Sequence, residues 1–245
     1  MAPTAILLPG NMCDARLWRG GDHALHHALA RAGITAVTDA DVYQDDNMAN
    51  MAQRALDSVS GPVLPVGFSM GAIVAMEMAV LEPDRVCGMV LCGYNATADL
   101  PDRAAIRPSQ QAQVRDGGLE RVLVEELKPN YLAAANRRNT DLLALLRDMG
   151  MTLGPDVFVQ QSEALRLRAD RVAQLAALRV PVLYIAGAED TLCPPAWHRR
   201  WAMETPGSRC AEIAGAGHMV PLETPQDFAA VVAHWIQDHQ GELGL

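Results

Sequence analysis

Short apolar runs dense in Val, Ile and Leu recur along the chain, from Thr4 to Leu8, Thr35 to Thr38, Val63 to Phe68, Val86 to Cys92, Val180 to Ala186 and Cys210 to Ile213. They predict strands buried on both faces, as in a parallel sheet. Between them run helical patterns, at about Ala15 to Ala32, Met48 to Ser58, Met70 to Leu81, Pro195 to Glu204 and Pro225 to His239, several opened by Pro or Asn and closed by Gly. Strand alternating with helix means an α/β fold. One long interval breaks the alternation: from Asn95 to about Leu178 only amphipathic helical stretches occur, among them Leu119 to Leu127, Thr140 to Met149 and Asp156 to Leu167. Pro101, Pro108, Gly117-Gly118, Pro129 and Gly154-Pro155 are expected to cut this helical insertion into about four helices.

Composition narrows the class. The 245 residues, half hydrophobic and a fifth charged, suit one α/β domain with an insertion better than two independent units. The 29 acidic and 20 basic side chains leave a formal net charge of −9, which repels phosphate backbones and anionic lipid surfaces, so neither nucleic acid nor membrane is expected as a partner. Lys128 is the lone lysine, and no block of like charge marks a site. The apolar run Ala5 to Leu8 stops at Pro9-Gly10, so no export signal or membrane span is expected. Cys13, Cys87, Cys92, Cys193 and Cys210 form no CxxC pair, which predicts reduced thiols and a cytoplasmic protein.

The strongest chemical signal is Gly67-Phe68-Ser69-Met70-Gly71, a G-x-S-x-G sequence between the strand Val63 to Phe68 and the helix-forming run after it. Such a turn must be sharp to expose the serine oxygen, and small residues two before and two after it prevent collisions. Ser69 then stands at a helix N-terminus, where backbone N–H groups and the helix dipole favour developing negative charge. The plainer alternative is a serine helix cap.

A neutral serine needs a base and a group to orient that base. After the strand Val180 to Ala186 comes Gly187-Ala188-Glu189-Asp190, at the sheet end where ligands gather in open α/β folds. Asp190 is the candidate orienting acid; Glu189 competes, but the G-x-x-D spacing favours Asp190. After the last strand, Gly215-Ala216-Gly217-His218-Met219-Val220-Pro221 holds His218 in a tight, apolar loop, which makes it the candidate base, with a structural histidine as the alternative. His23, His26 and His27 are read as solvent-facing, since nothing nearby completes a metal site. No dinucleotide or Walker glycine pattern exists, so no cofactor is implied. Arg107, Arg137, Arg138, Arg166 and Arg168 are read as solvated, a substrate carboxylate being the alternative for each.

With Ser69, Asp190 and His218 in that chain order, the sequence resembles the α/β-hydrolase superfamily over nearly its whole length, and most of all compact bacterial hydrolases that begin with a Leu-Leu-Pro-Gly strand end. The resemblance implies a mostly parallel sheet of about six strands without the usual N-terminal antiparallel hairpin. It implies a core of residues 1–95 and 178–245 under a helical cap of residues 96–177, and a Ser69, His218 and Asp190 triad. By position, the oxyanion-hole donors are the backbone N–H groups of Asn11 and Met70, with Met12 as a second candidate for the first. Two departures stand out: Pro9-Gly10 replaces a common His-Gly, and Ala72 replaces a glycine common after the serine turn. The implied activity is that of a serine esterase acting on a small-molecule acyl substrate, a carboxylic ester, lactone or thioester. Carbon–carbon bond hydrolysis, acyl transfer, and ligand binding without turnover are the alternatives.

Overall fold

The computed structural model describes residues 2–127 and 131–245, so Lys128 and Pro129 lie outside the described residues. Six strands form the sheet: β1 (Thr4–Leu8), β2 (Val37–Asp39), β3 (Val63–Phe68), β4 (Met89–Cys92), β5 (Val182–Gly187) and β6 (Arg209–Ile213). Their order is β2-β1-β3-β4-β5-β6, and every neighbouring pair is parallel. From β1 the chain steps outward to β2 and then returns to place β3 on β1's other side, so the strand order reverses between β1 and β3. In such sheets ligands collect at the carboxyl ends of the strands flanking that reversal. Here the register sets Leu8 against Gly67, so the loop after β1 and the turn after β3 emerge side by side.

Alternate residues of the buried strands feed two cores. Ile6 and Leu8 pack with Met51, Leu56, Ile73 and Met76 on one face of the sheet, whereas Ala5 and Leu7 pack with Leu17, Trp18, Phe228 and Trp235 on the other. The helix Met70–Leu81 is buried from Met70 through Ala79, and that stretch includes Glu77. Its carboxylate accepts two hydrogen bonds from Arg171, at 2.8 and 2.7 Å, and Arg171 N–H donates to Ala96 C=O at 2.7 Å. One arginine thus joins both ends of the insertion to the central helix, and losing it would strand a buried charge, at a cost of about 3 kcal/mol or more.

Several expected elements shift. The helix expected from Ala15 to Ala32 breaks: a 3₁₀ turn covers Ala15–Arg19, and Gly21, Asp22 and His23 take left-handed φ of 59°, 56° and 59° before the helix ending at Arg31 resumes. Gly21 abuts the C-terminal helix so closely that a Cβ there would lie 2.5 Å from Gln226 Nε2. β2 begins at Val37, where pairing with Ala5 of β1 begins. Val86 keeps only an isolated bridge to Val63, and β4 proper starts at Met89. His23 and His27 are exposed, but His26 is half-buried, contrary to expectation.

Between β4 and β5 the described residues carry helices and turns only. Pro108 does not cut the helix Pro101–Gln113, because it sits on an exposed position where one lost backbone hydrogen bond is tolerated. The stretches expected at 140–149 and 156–167 fall in one segment, Thr140–Arg166, which stops one residue short of Leu167 and is bent where Gly154 (φ 84°) precedes Pro155. Among the described residues no helix is long and apolar enough to cross a membrane.

The sequence pattern does not single out His198, yet it is fully buried on the helix Pro195–Glu204. Its Nε2 accepts the Tyr94 N–H at 2.9 Å, and its Nδ1 faces the Pro194 carbonyl at 3.3 Å, which ties this helix to the end of β4. Burial pushes the imidazole pKa down to about 4. The unfolded chain therefore takes up this proton near pH 6.5 and the folded chain only near pH 4. Stability present above pH 6.5 is lost as the pH falls through that window, by about 3 kcal/mol. Urea unfolding at pH 7 and pH 4 checks this: His198→Gln, which retains an acceptor and a donor, should lose less stability than wild type, and an equal loss would refute it.

Candidate active site

Each candidate side chain stands just beyond a strand end. Ser69 follows β3 directly and adopts φ 52°, ψ −113°, a strained conformation for a residue with a side chain, costing about 1–3 kcal/mol. The turn is held by the Ser69 N–H bond to Cys92 C=O at 2.8 Å. A Cβ on Gly71 would fall 1.9 Å from Leu8 C=O, and one on Gly67 would fall 2.5 Å from Ala72 Cα, so both glycines are sterically required. The methyl of Ala72 fits, fully buried.

Asp190 follows β5 and is 3% exposed. Its Oδ1 accepts the Leu192 and Cys193 N–H groups at 2.8 and 2.9 Å, and its Oδ2 lies 2.7 Å from His218 Nδ1. Burial alone would raise this carboxyl's pKa, but the charge and hydrogen bond of His218 and the two amides outweigh it and hold the group below the ordinary carboxylate value. Glu189 points elsewhere, accepting the Ala134 N–H at 2.9 Å.

His218 follows β6, is 4% exposed, and places Nε2 2.9 Å from Ser69 Oγ. Its backbone N–H donates to Tyr131 C=O at 2.8 Å, and its ring rests between Phe68 and Tyr131 at centroid distances of 5.0 and 5.9 Å. Gly93 (φ 62°) leaves room for the imidazole, since a Cβ there would lie 2.9 Å from its Cε1. Glu223 bonds the Gly217 N–H at 2.8 Å with one oxygen and the Ala133 N–H at 2.7 Å with the other, linking the histidine loop to the insertion.

Ser69, His218, Asn11 and Met70 all line one cavity of about 300 Å³. Met70 opens its helix, where the first N–H groups have no intrahelical acceptor. Met12 is placed differently: its N–H is taken by Gln161 Oε1 at 2.8 Å, which weighs against it as a free donor. Gln161, fully buried on the insertion, also accepts from Asn11 Nδ2 at 3.1 Å and donates to Val42 C=O at 3.1 Å. The sequence reading passed over it. Its one signal was a polar residue at a core-facing helical position, in register with Phe158 and Leu165.

The reading of the arginines as solvated holds for Arg137 and Arg138, which are exposed. Arg166 pairs with Glu163 at 2.6 Å. Arg107 and Arg168 contradict it: both line the cavity, and Arg168 is only 8% exposed. The buried carboxylate of Asp99 draws them inward, at 2.6 Å from Arg107 Nε and 2.7 Å from Arg168 Nη1.

Comparison with known proteins agrees with this architecture. The family model of the alpha/beta hydrolase family matches residues 5–231, and the chain belongs to that family. It is 28% identical over 259 residues to the polyketide synthase ThaQ of Burkholderia thailandensis, a match covering 96% of this chain but only 12% of ThaQ. It is 30% identical over 207 residues to the putative non-heme bromoperoxidase BpoC of Mycobacterium tuberculosis, covering 79% of this chain and 76% of BpoC. Among solved structures it resembles a thermophilic esterase from Thermogutta terrifontis, with a TM-score of 0.87, 24% identity, and coverage of 97% and 90% of the two chains.

Gln161→Leu leaves the Met12 N–H and the Val42 carbonyl without partners, which should cost about 3 kcal/mol. In a domain of this size that lowers Tm by about 6–12 °C in calorimetry; an unchanged Tm would contradict the bracing role.

Proposed function

We propose that this hydrolase cleaves carboxylic esters, lactones or thioesters of modest size through a covalent acyl-enzyme on Ser69. The observation that carries the reading is the imidazole of His218, 2.9 Å from Ser69 Oγ on one side and 2.7 Å from Asp190 Oδ2 on the other. With its Nδ1–H donated to Asp190, the ring keeps Nε2 free to accept the serine proton as Oγ attacks the carbonyl carbon. The Asn11 and Met70 N–H groups receive the oxyanion. As the tetrahedral intermediate collapses and its bond to the leaving oxygen or sulfur breaks, His218 gives its proton to that atom, which departs as the alcohol or thiol. Water, deprotonated by the same nitrogen, attacks the acyl-enzyme, and collapse releases the acid and restores Ser69.

The geometry of the site and the family membership support this reading, and two of the likenesses, a thermophilic esterase and a polyketide synthase segment, are in keeping with acyl chemistry. Asp190 supports the ring as a charged acceptor rather than as a proton carrier, in keeping with its depressed pKa.

Turnover of p-nitrophenyl butyrate tests the reading. Ser69→Ala should reduce kcat by about 10⁴-fold or more while circular dichroism stays unchanged. A fluorophosphonate should add one adduct mass to the wild type, on the peptide containing Ser69, and none to the variant. Substantial turnover by Ser69→Ala, or an unlabelled wild type, would sink the proposal.

A further inference from the structure

The cavity beside Ser69 carries more positive charge than its neighbours cancel. Arg103 and Arg107 are one helical turn apart on Pro101–Gln113, and both line it, as does Arg168 from beyond the helix Thr140–Arg166. Asp99 alone serves Arg107 and Arg168, whose remaining bonds include Arg168 Nε to Thr97 C=O at 3.0 Å. Those two guanidiniums have a structural use, holding the start of the insertion. Arg103 has none of that kind. Its hydrogen bond is a long one, from Nη2 to Leu192 C=O at 3.4 Å, and among the described residues it makes no ion pair. Glu126, the acid that shares the cavity lining, is already engaged by Gln110 Nε2 at 3.0 Å and by Arg121 at 3.6 Å. Asp190 is committed to His218.

A chain of net charge −9 thus concentrates three guanidiniums in the lining of the concavity that holds its candidate nucleophile, against Glu126 in the same lining and the Asp99 carboxylate paired with two of them. A half-buried guanidinium with most of its donors unmet is an arrangement that a planar anion completes, because its fork matches a carboxylate with two parallel hydrogen bonds. A concave, low-dielectric site also focuses such a field and raises the local concentration of an anionic ligand.

We propose that Arg103, backed by Arg107 and Arg168, binds a free carboxylate on the substrate, so that the preferred substrates are half-esters of dicarboxylic acids, or lactones bearing an acid group, rather than neutral esters. This deepens the proposed function and rests on Ser69 attacking an acyl carbon. The carboxylate is held and not transformed; its part is to fix the ester carbonyl at Ser69, which shows mainly in kcat/KM.

The test compares monomethyl and dimethyl esters of succinate, glutarate and adipate. For the chain length turned over fastest, wild type should favour the monomethyl ester in kcat/KM by at least about tenfold, a preference that weakens with added salt. Arg103→Gln should shrink that ratio by at least about tenfold, about 1.4 kcal/mol, and Arg103→Lys should restore part of it. A wild-type ratio of one or less, or a ratio unchanged in Arg103→Gln, overturns the proposal while leaving ester hydrolysis standing. Calorimetric titration of monomethyl glutarate into Ser69→Ala, and into Ser69→Ala combined with Arg103→Gln, reads binding without turnover. Binding that depends on Arg103 in a protein that hydrolyses none of these esters would uphold the carboxylate site and sink the ester reaction. Neither binding nor turnover would sink both.

Discussion

The site turns on one imidazole held at both nitrogens. His218 reaches Ser69 and Asp190 at hydrogen-bond distance only because three separate loops leave one rim of the sheet at matched heights, after β3, β5 and β6. That matching rests on close backbone approach. Gly71 lies against the Leu8 carbonyl, and Gly187 lies so near Gly217 that a Cβ would meet its carbonyl oxygen at 1.9 Å. The strained φ of Ser69 persists because a fully buried strand and a nearly all-buried helix flank it on either side.

The insertion does more than line the cavity. Its backbone at Tyr131 bonds the His218 N–H, Glu223 couples Ala133 to the histidine loop, and Gln161 holds the Asn11–Met12 corner. Three points of attachment therefore connect the segment lining the cavity to two of the loops that define it, the histidine loop and the loop after β1. Changes in the insertion should move the histidine loop and the loop after β1 as well as altering the shape of the pocket. The same segment brings in the arginine cluster, so its charge and its bracing arrive together.

Much of this was legible in the sequence because the signals are local. Uninterrupted apolar runs mark strands sheathed on both faces, and a serine two residues from each of two glycines marks a turn with no room for larger side chains. The G-x-x-D spacing favours Asp190 over Glu189, and the structure sets Asp190 against His218 and turns Glu189 toward Ala134. What stayed hidden depends on distant partners. Arg107 and Arg168 looked like surface arginines because nothing local shows that Asp99 is buried between them. Gln161 acquires its role from residues about 150 positions away, as its separation of 150 from Asn11 attests. His198 acquires its own from Tyr94, 104 positions away. Gly21, at the break in the first helix, likewise lies against a distant residue, since a Cβ there would meet Gln226 of the last long helix.

The acid behind the imidazole offers the most direct test of the arrangement. Asp190→Asn keeps an oxygen for the Leu192 and Cys193 amides but removes the charge that fixes the ring's tautomer and balances the imidazolium. The measurement is the second-order rate at which diisopropyl fluorophosphate modifies Ser69. That rate should fall by about 10³- to 10⁴-fold in the variant, whereas a rate close to that of the wild type would mean that the serine does not owe its reactivity to the Asp190–His218 pair.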